Sequence, residues 1–143
     1  MEYKDSDLVL EVSKNVNPAV WDEGFFQNFF ELLFGKRNYQ KEAAEIALRF
    51  LNSGEYKDIT ALAKENFEKN EVIRARWNND FSKMQDDLES SDKLSATLDL
   101  ATGTGKSYVM FAIALIMLAT KKVSRVLVLV PSTTIERELT QKF

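Results

Sequence analysis

Residues 98–110 read LDLATGTGKSYVM. Gly103 and Gly105 stand directly before Lys106 and Ser107, and an apolar stretch, YVMFAIALIMLA, runs on from Tyr108 to Ala119. The spacing matches the end of the phosphate-loop pattern G-x-x-x-x-G-K-[ST], with Leu100 in place of its first glycine. Glycines carry no Cβ, so backbone N–H groups in such a loop can curl around phosphate oxygens. A helix that starts at Lys106 aims the positive end of its dipole at the same anion. Lys106 then reaches the terminal phosphates as a point charge, and Ser107 offers its hydroxyl to Mg²⁺. The competing reading is a left-handed glycine turn followed by a stray lysine. A dinucleotide fold is a further rival, but its G-x-G-x-x-G pattern needs glycine at 108, where Tyr108 stands.

Outward from this loop the pattern predicts an α/β fold. LSATLDLA, residues 94–101, alternates as a strand does, and a helix is expected from Lys106 to about Thr120. RVLVLVP, residues 125–131, is the β-branched run of a strand buried on both faces, and PSTTIERELTQKF begins another helix. Strand, loop, helix, strand and helix in this order predict a parallel sheet. Two strands alone make a poor sheet. The expectation is therefore a truncated sheet and an N-terminal piece of a longer protein.

Toward the N-terminus, five of the ten phenylalanines fall in FFQNFFELLF, residues 25–34. Their three-four spacing predicts a helix that Pro18 suits at its start and Gly35 at its end. The stripe reads as core, or as a docking face for other domains. A second helix is expected through YQKEAAEIALRFLNSG, closed by Asn52, Ser53 and Gly54. Residues 55–93 carry dense charge of both signs on two or more amphipathic helices, with breaks at Asn78-Asn79 and Ser90-Ser91. Arg74, Arg76 and Trp77 there form either a solvated face with an anchored ring or a nucleic-acid patch. The organisation expected is a helical segment over 1–54, a charged helical insertion over 55–93 and the start of a phosphate-loop domain over 94–143.

The 143 residues include neither Cys nor His, which excludes disulfide scaffolds and thiol or imidazole catalysis. The net charge of −3 argues against a strongly basic nucleic-acid footprint on this chain by itself. The N-terminus lacks the apolar core of a signal peptide, and the apolar run after the loop is too short to span a bilayer. These features suit a cytoplasmic protein with no membrane partner.

LATGTGKS resembles motif I of superfamily 2 helicases and translocases, in which the first loop glycine is commonly replaced. VLVLVPSTTIERELTQKF is similar to the motif Ia region that follows. KRNYQKEAAEIAL resembles the Arg-x-Tyr-Gln segment upstream of motif I. The nearest group is the helicase-like restriction subunits of type I and type III restriction enzymes and related bacterial defence translocases. The resemblance implies the start of a RecA-like domain and ATP hydrolysis coupled to movement on double-stranded DNA. It implies ATP and Mg²⁺ as cofactors and a modification or specificity subunit as a further partner.

Residue by residue, Gln40 would read the adenine edge, with Tyr39 or Arg37 packed on the base or its surroundings. Thr102, Gly103, Thr104, Gly105, Lys106, Ser107 and Tyr108 would hold the nucleotide. Lys106 would serve catalysis and Ser107 the metal. Pro131, Ser132, Thr133 and Thr134 would lie along the nucleic-acid backbone, a reading compatible with a plain helix cap in which Glu136 completes a capping box. A carboxylate motif II and an arginine finger, which phosphoryl transfer needs, are not found. Asp86-Asp87 lies upstream of the loop and is not counted as motif II. ATP turnover is thus expected of a longer chain, and weak ATP binding at most of this one. The readings from other classes are a non-enzymatic binding module and a phosphate-loop NTPase of another kind.

Overall fold

The computed structural model describes residues 9–14, 23–88, 90–101, 103–130 and 132–142. The chain forms two compact units, residues 1–17 with 49–97 and residues 18–48 with 98–143. Among the described residues every regular element is a helix. None of these helices is long and apolar enough to cross a membrane.

The second unit holds α1 (Glu23–Phe34), most of α2 (Asn38–Asn52), α6 (Lys106–Ala119) and α7 (Thr133–Lys142). Helix α1 forms because Phe26, Phe30 and Phe34 recur every fourth residue and bury one stripe completely. The Phe30 and Phe34 rings lie 5.7 Å apart. Part of the phenylalanine-rich stretch is open, since Phe25 and Leu32 face solvent. Gly35 ends the helix at φ +57, its N–H donating to the Glu31 carbonyl at 3.0 Å. That tight stop lets α2 begin three residues later. Lys41 of α2 reaches back to form an ion pair with Glu31 of α1. Helix α1 packs against α6, which buries Val109, Ala112 and Ile116 along one stripe.

The first unit holds α3 (Ile59–Lys69), α4 (Glu71–Arg76) and α5 (Phe81–Asp86), with the end of α2 and a strap without regular structure, residues 9–13. Each short helix has a side-chain cap. Asp58 accepts from Ala61 N, Asn70 from Val72 N and Ile73 N, and Asp80 from Ser82 N. Asn78 and Asn79, both at positive φ, turn the chain between α4 and α5. Ala63, Ile73, Trp77 and Met84 make one buried cluster. Phe50, Tyr56 and Leu62 make another, and Leu10 of the strap packs against both.

Buried Asn66 holds the strap by its backbone. Its Oδ1 accepts from Glu11 N at 2.7 Å, and its Nδ2 donates to Glu11 O at 2.9 Å. Tyr56 donates its hydroxyl proton to Glu65 at 2.7 Å and accepts from Ser13 N at 3.0 Å. Burial, reinforced by the Glu65 carboxylate, pushes the Tyr56 hydroxyl up to about 12. Lys69, and then Tyr56, hold Glu65 below the ordinary carboxylate range.

The parallel sheet expected from residues 94–101 and 125–131 is not formed. Residues 94–101 carry no strand, nor do the described residues 125–130. A β-branched run becomes a strand only when a second backbone satisfies its N–H and C=O groups, and a parallel strand needs both faces covered as well. Here Leu127 and Leu129 are more than four-fifths exposed, and Val126 and Val128 are nearly half exposed. The run carries no strand, so the α/β expectation gives way to an all-helical arrangement of the described residues. The RecA-like sheet start expected at 94–143 falls with it.

Candidate functional site

The glycine loop and the start of α2 meet within the second unit. Arg37, Tyr39 and Gln40 form one side of a cleft of about 440 Å³, and Gly103 through Tyr108 form the other. This volume lies within the range of small-molecule sites. Among its described lining residues are two cations, Arg37 and Lys106, and no carboxylate. The charge therefore suits an anion.

Helix α6 opens at Gly105, whose φ of 81 is the left-handed conformation that glycine adopts without strain. Gly105 offers no side chain to cap the helix. The first-turn N–H groups of a helix have no intrahelical partner, so this end is suited to an anion. A Cβ on Gly105 would press on Nε2 of Gln40, the movable end of that side chain. Lys106 is exposed at the head of the helix, and Ser107 is half-buried beside it. Thr104 closes the loop on itself, its hydroxyl donating to the Ala101 carbonyl at 2.5 Å.

Two donors from α2 converge on one loop atom, the Thr104 carbonyl oxygen. The Tyr39 hydroxyl donates to it at 3.1 Å, and the Gln40 amide nitrogen donates to the same oxygen. That contact fixes the orientation of the Gln40 carboxamide, since the reverse orientation would set two acceptors against each other. The Gln40 side chain is buried, and its Oε1 has no hydrogen-bond partner. A buried acceptor without a donor is costly, by about 1–3 kcal/mol, and marks a place where a donor is missing. The atom is covered, so a ligand reaches it only when the side chain turns or the wall of the cleft opens.

The cleft thus gathers Arg37, Tyr39, Gln40, Gly103, Thr104, Gly105, Lys106, Ser107 and Tyr108 from the expected nucleotide set. Thr102 lies outside the described residues. Ser132 and Thr133 are exposed at the start of α7 and do not line this cleft. Pro131 and the side chain of Thr134 lie outside the described residues. The Arg74, Arg76 and Trp77 patch is occupied internally. The indole N–H of Trp77 donates to Asp87 at 2.8 Å, and Arg76 lies over the Trp77 ring at 4.9 Å. The Arg74 guanidinium donates to the Phe67 and Glu68 carbonyls at the end of α3. Trp77 is buried and offers no ring for a base to stack on.

The feature that sequence reasoning missed is the Thr104 carbonyl as a meeting point. It is a backbone atom, so no residue type announces it.

The family model described as "Type III restriction enzyme, res subunit" matches residues 33–143, more than three quarters of the chain. The matched span contains every described residue that lines the cleft. No curated protein and no solved structure matches the chain.

Proposed function

Because the chain belongs to the type III restriction enzyme res subunit family, we propose that its cleft binds ATP and Mg²⁺ for a helicase-like motor that moves on double-stranded DNA within a restriction system. The observation that carries this reading is the junction of two sequence-distant motifs, the Arg37–Gln40 segment and the loop of residues 103–108, in one cation-lined cleft. The uncapped helix start at Gly105 suits an anion, and the unpartnered Oε1 of Gln40 suits a donor. Loop N–H groups and Lys106 would hold the phosphates, and Ser107 would ligate Mg²⁺. The metal would neutralise charge that develops on the phosphates.

At the base end, one Gln40 amide proton is engaged by Thr104, which leaves Oε1 as an acceptor and the second proton as a donor. That pair complements N6 and N7 of adenine, whereas guanine presents O6, an acceptor, against Oε1. Residues 131–134 would meet the nucleic-acid backbone, and a modification or specificity subunit would supply sequence choice.

Titration of the chain with Mg-ATP and Mg-GTP at low salt, for wild type, Lys106→Ala and Gln40→Ala, tests the reading. Wild type should prefer ATP. Lys106→Ala should weaken binding of both nucleotides by about ten- to a hundredfold, as for a lost charged hydrogen bond. Gln40→Ala should erase the preference for ATP. Equal affinity for the two nucleotides together with an indifferent Lys106→Ala variant would sink the proposal.

A further inference from the structure

We infer that Tyr39 is a positioning residue for the phosphate loop, acting through its hydroxyl rather than through its ring. The inference rests on the nucleotide reading of the cleft and adds a task that this reading does not assign. The Tyr39 hydroxyl donates to the Thr104 carbonyl at 3.1 Å, across sixty-five residues of sequence. That carbonyl shares a rigid peptide plane with the Gly105 N–H, and no described peptide bond is cis. In a trans peptide the C=O and the N–H point in opposite directions. A donor that holds the Thr104 oxygen therefore also sets the direction of the Gly105 N–H at the head of α6.

Gly105 needs this restraint. Its φ of 81 lies in a region that glycine enters freely and leaves just as freely. Without a hold on the preceding carbonyl, the 104–105 plane can rotate, and the N–H then samples directions that no phosphate oxygen meets. An oriented donor binds an anion better than a mobile one because its ordering has already taken place.

Gln40 shares the same carbonyl, but its hold is conditional. Its Oε1 lacks a partner, and a base edge reaches that atom only if the side chain turns or the cleft wall opens. When the Gln40 side chain turns, its amide leaves the Thr104 oxygen, and the Tyr39 hydroxyl becomes the remaining donor on it. Tyr39 is about half exposed at the rim, so its hydroxyl stays at the loop without itself being covered. The structure thus gives neighbouring residues of α2 different tasks: Gln40 for the base and Tyr39 for the loop.

Tyr39→Phe keeps the ring and removes the hydroxyl, and so separates packing on a base from positioning of the loop. The test titrates wild type and Tyr39→Phe with three probes: Mg-ATP, inorganic tripolyphosphate with Mg²⁺, and adenosine. The expected result is a loss of about threefold to tenfold for tripolyphosphate and ATP, the worth of one hydrogen bond, with adenosine unchanged. In a ligand-free Gln40→Ala background, where the Tyr39 hydroxyl is the remaining donor on the Thr104 oxygen, adding Tyr39→Phe should also shift the Gly105 amide in a ¹⁵N-resolved NMR spectrum and speed its exchange, while the helical circular dichroism stays the same. A variant that binds tripolyphosphate as wild type does, or that loses adenosine instead, would overturn the positioning role. An unmoved Gly105 amide would do so without any ligand. The wild-type titration alone reports on the nucleotide reading, and the ratio of variant to wild type reports on Tyr39, so the two failures can be told apart.

Discussion

Between Asp58 and Asp87 the chain is rich in charge, yet its apolar residues are almost all used. Leu62, Ala63, Ile73, Trp77 and Met84 are buried, three short helices each carry a side-chain cap, and the indole N–H has its acceptor. Between Leu98 and Val130 the chain is far more apolar, yet most of its large side chains are partly or fully open. Tyr108, Met110 and Leu118 stand out from α6, and Leu127 and Leu129 stand almost bare. The contrast teaches that hydrophobicity alone does not build a core. The charged region closes on itself because its apolar residues recur at helical spacing on short helices that fold back within thirty residues. The region around the phosphate loop has apolar residues on every side of α6 and along an unladdered run, and one neighbouring stripe covers only one face.

The largest expected effect lies in the closed region. Met84 is completely buried in the cluster with Ala63, Ile73 and Trp77. Met84→Ala removes its packing and leaves a cavity, at a cost of about 2–5 kcal/mol. Urea unfolding followed by circular dichroism measures this, and a cost below about 1 kcal/mol would mean that the region is not the closed core described.

The same contrast shows what the sequence made legible. The helices followed from local facts: fourth-residue phenylalanines in α1, Gly35 as its stop, and Asn78-Asn79 as a break. The α6 boundary at Lys106 followed from the glycines before it. RVLVLV forms no strand, because a side-chain pattern records a preference for pleated surroundings, while a strand also requires another backbone that the pattern does not supply. The cleft was legible as residue types at known spacing. The convergence of Tyr39 and Gln40 on the Thr104 oxygen was not, because the acceptor is main chain. For Trp77 with Arg74 and Arg76 the sequence leaves an anchored ring and a nucleic-acid patch both open, and the acceptors that decide for the anchored ring, Asp87 and the end of α3, have no local spacing rule.

A second effect tests the closed region through pH. Tyr56 sits above its ordinary value, so its contribution is fully present below about pH 10 and fades as pH rises through about 12. Glu65 sits below its ordinary value, so its contribution is present above the usual carboxylate range and fades as pH falls through its lowered value. Stability should therefore hold a plateau between these limits. Tyr56→Phe isolates the tyrosine. Its difference in unfolding free energy from wild type should be constant near neutrality and shrink above pH 10. A difference that stays flat to pH 12 would show that the Tyr56–Glu65 bond does not stabilise the strap.

The smallest effect is expected in the open region, and it sharpens the comparison most. Leu127 and Leu129 are each more than four-fifths exposed. Leu127→Ser and Leu129→Ser remove no buried area, so each should change unfolding free energy by less than about 0.5 kcal/mol. Both should raise solubility, because exposed leucines in a β-branched apolar run favour association with other chains. A Met84→Ala variant of the charged region and a Leu127→Ser variant of the apolar region thus differ by several-fold in cost, opposite to the ranking that hydropathy suggests. If Leu127→Ser instead cost about as much as a buried leucine, Leu127 would be covered in solution, and the region would not be the open one described.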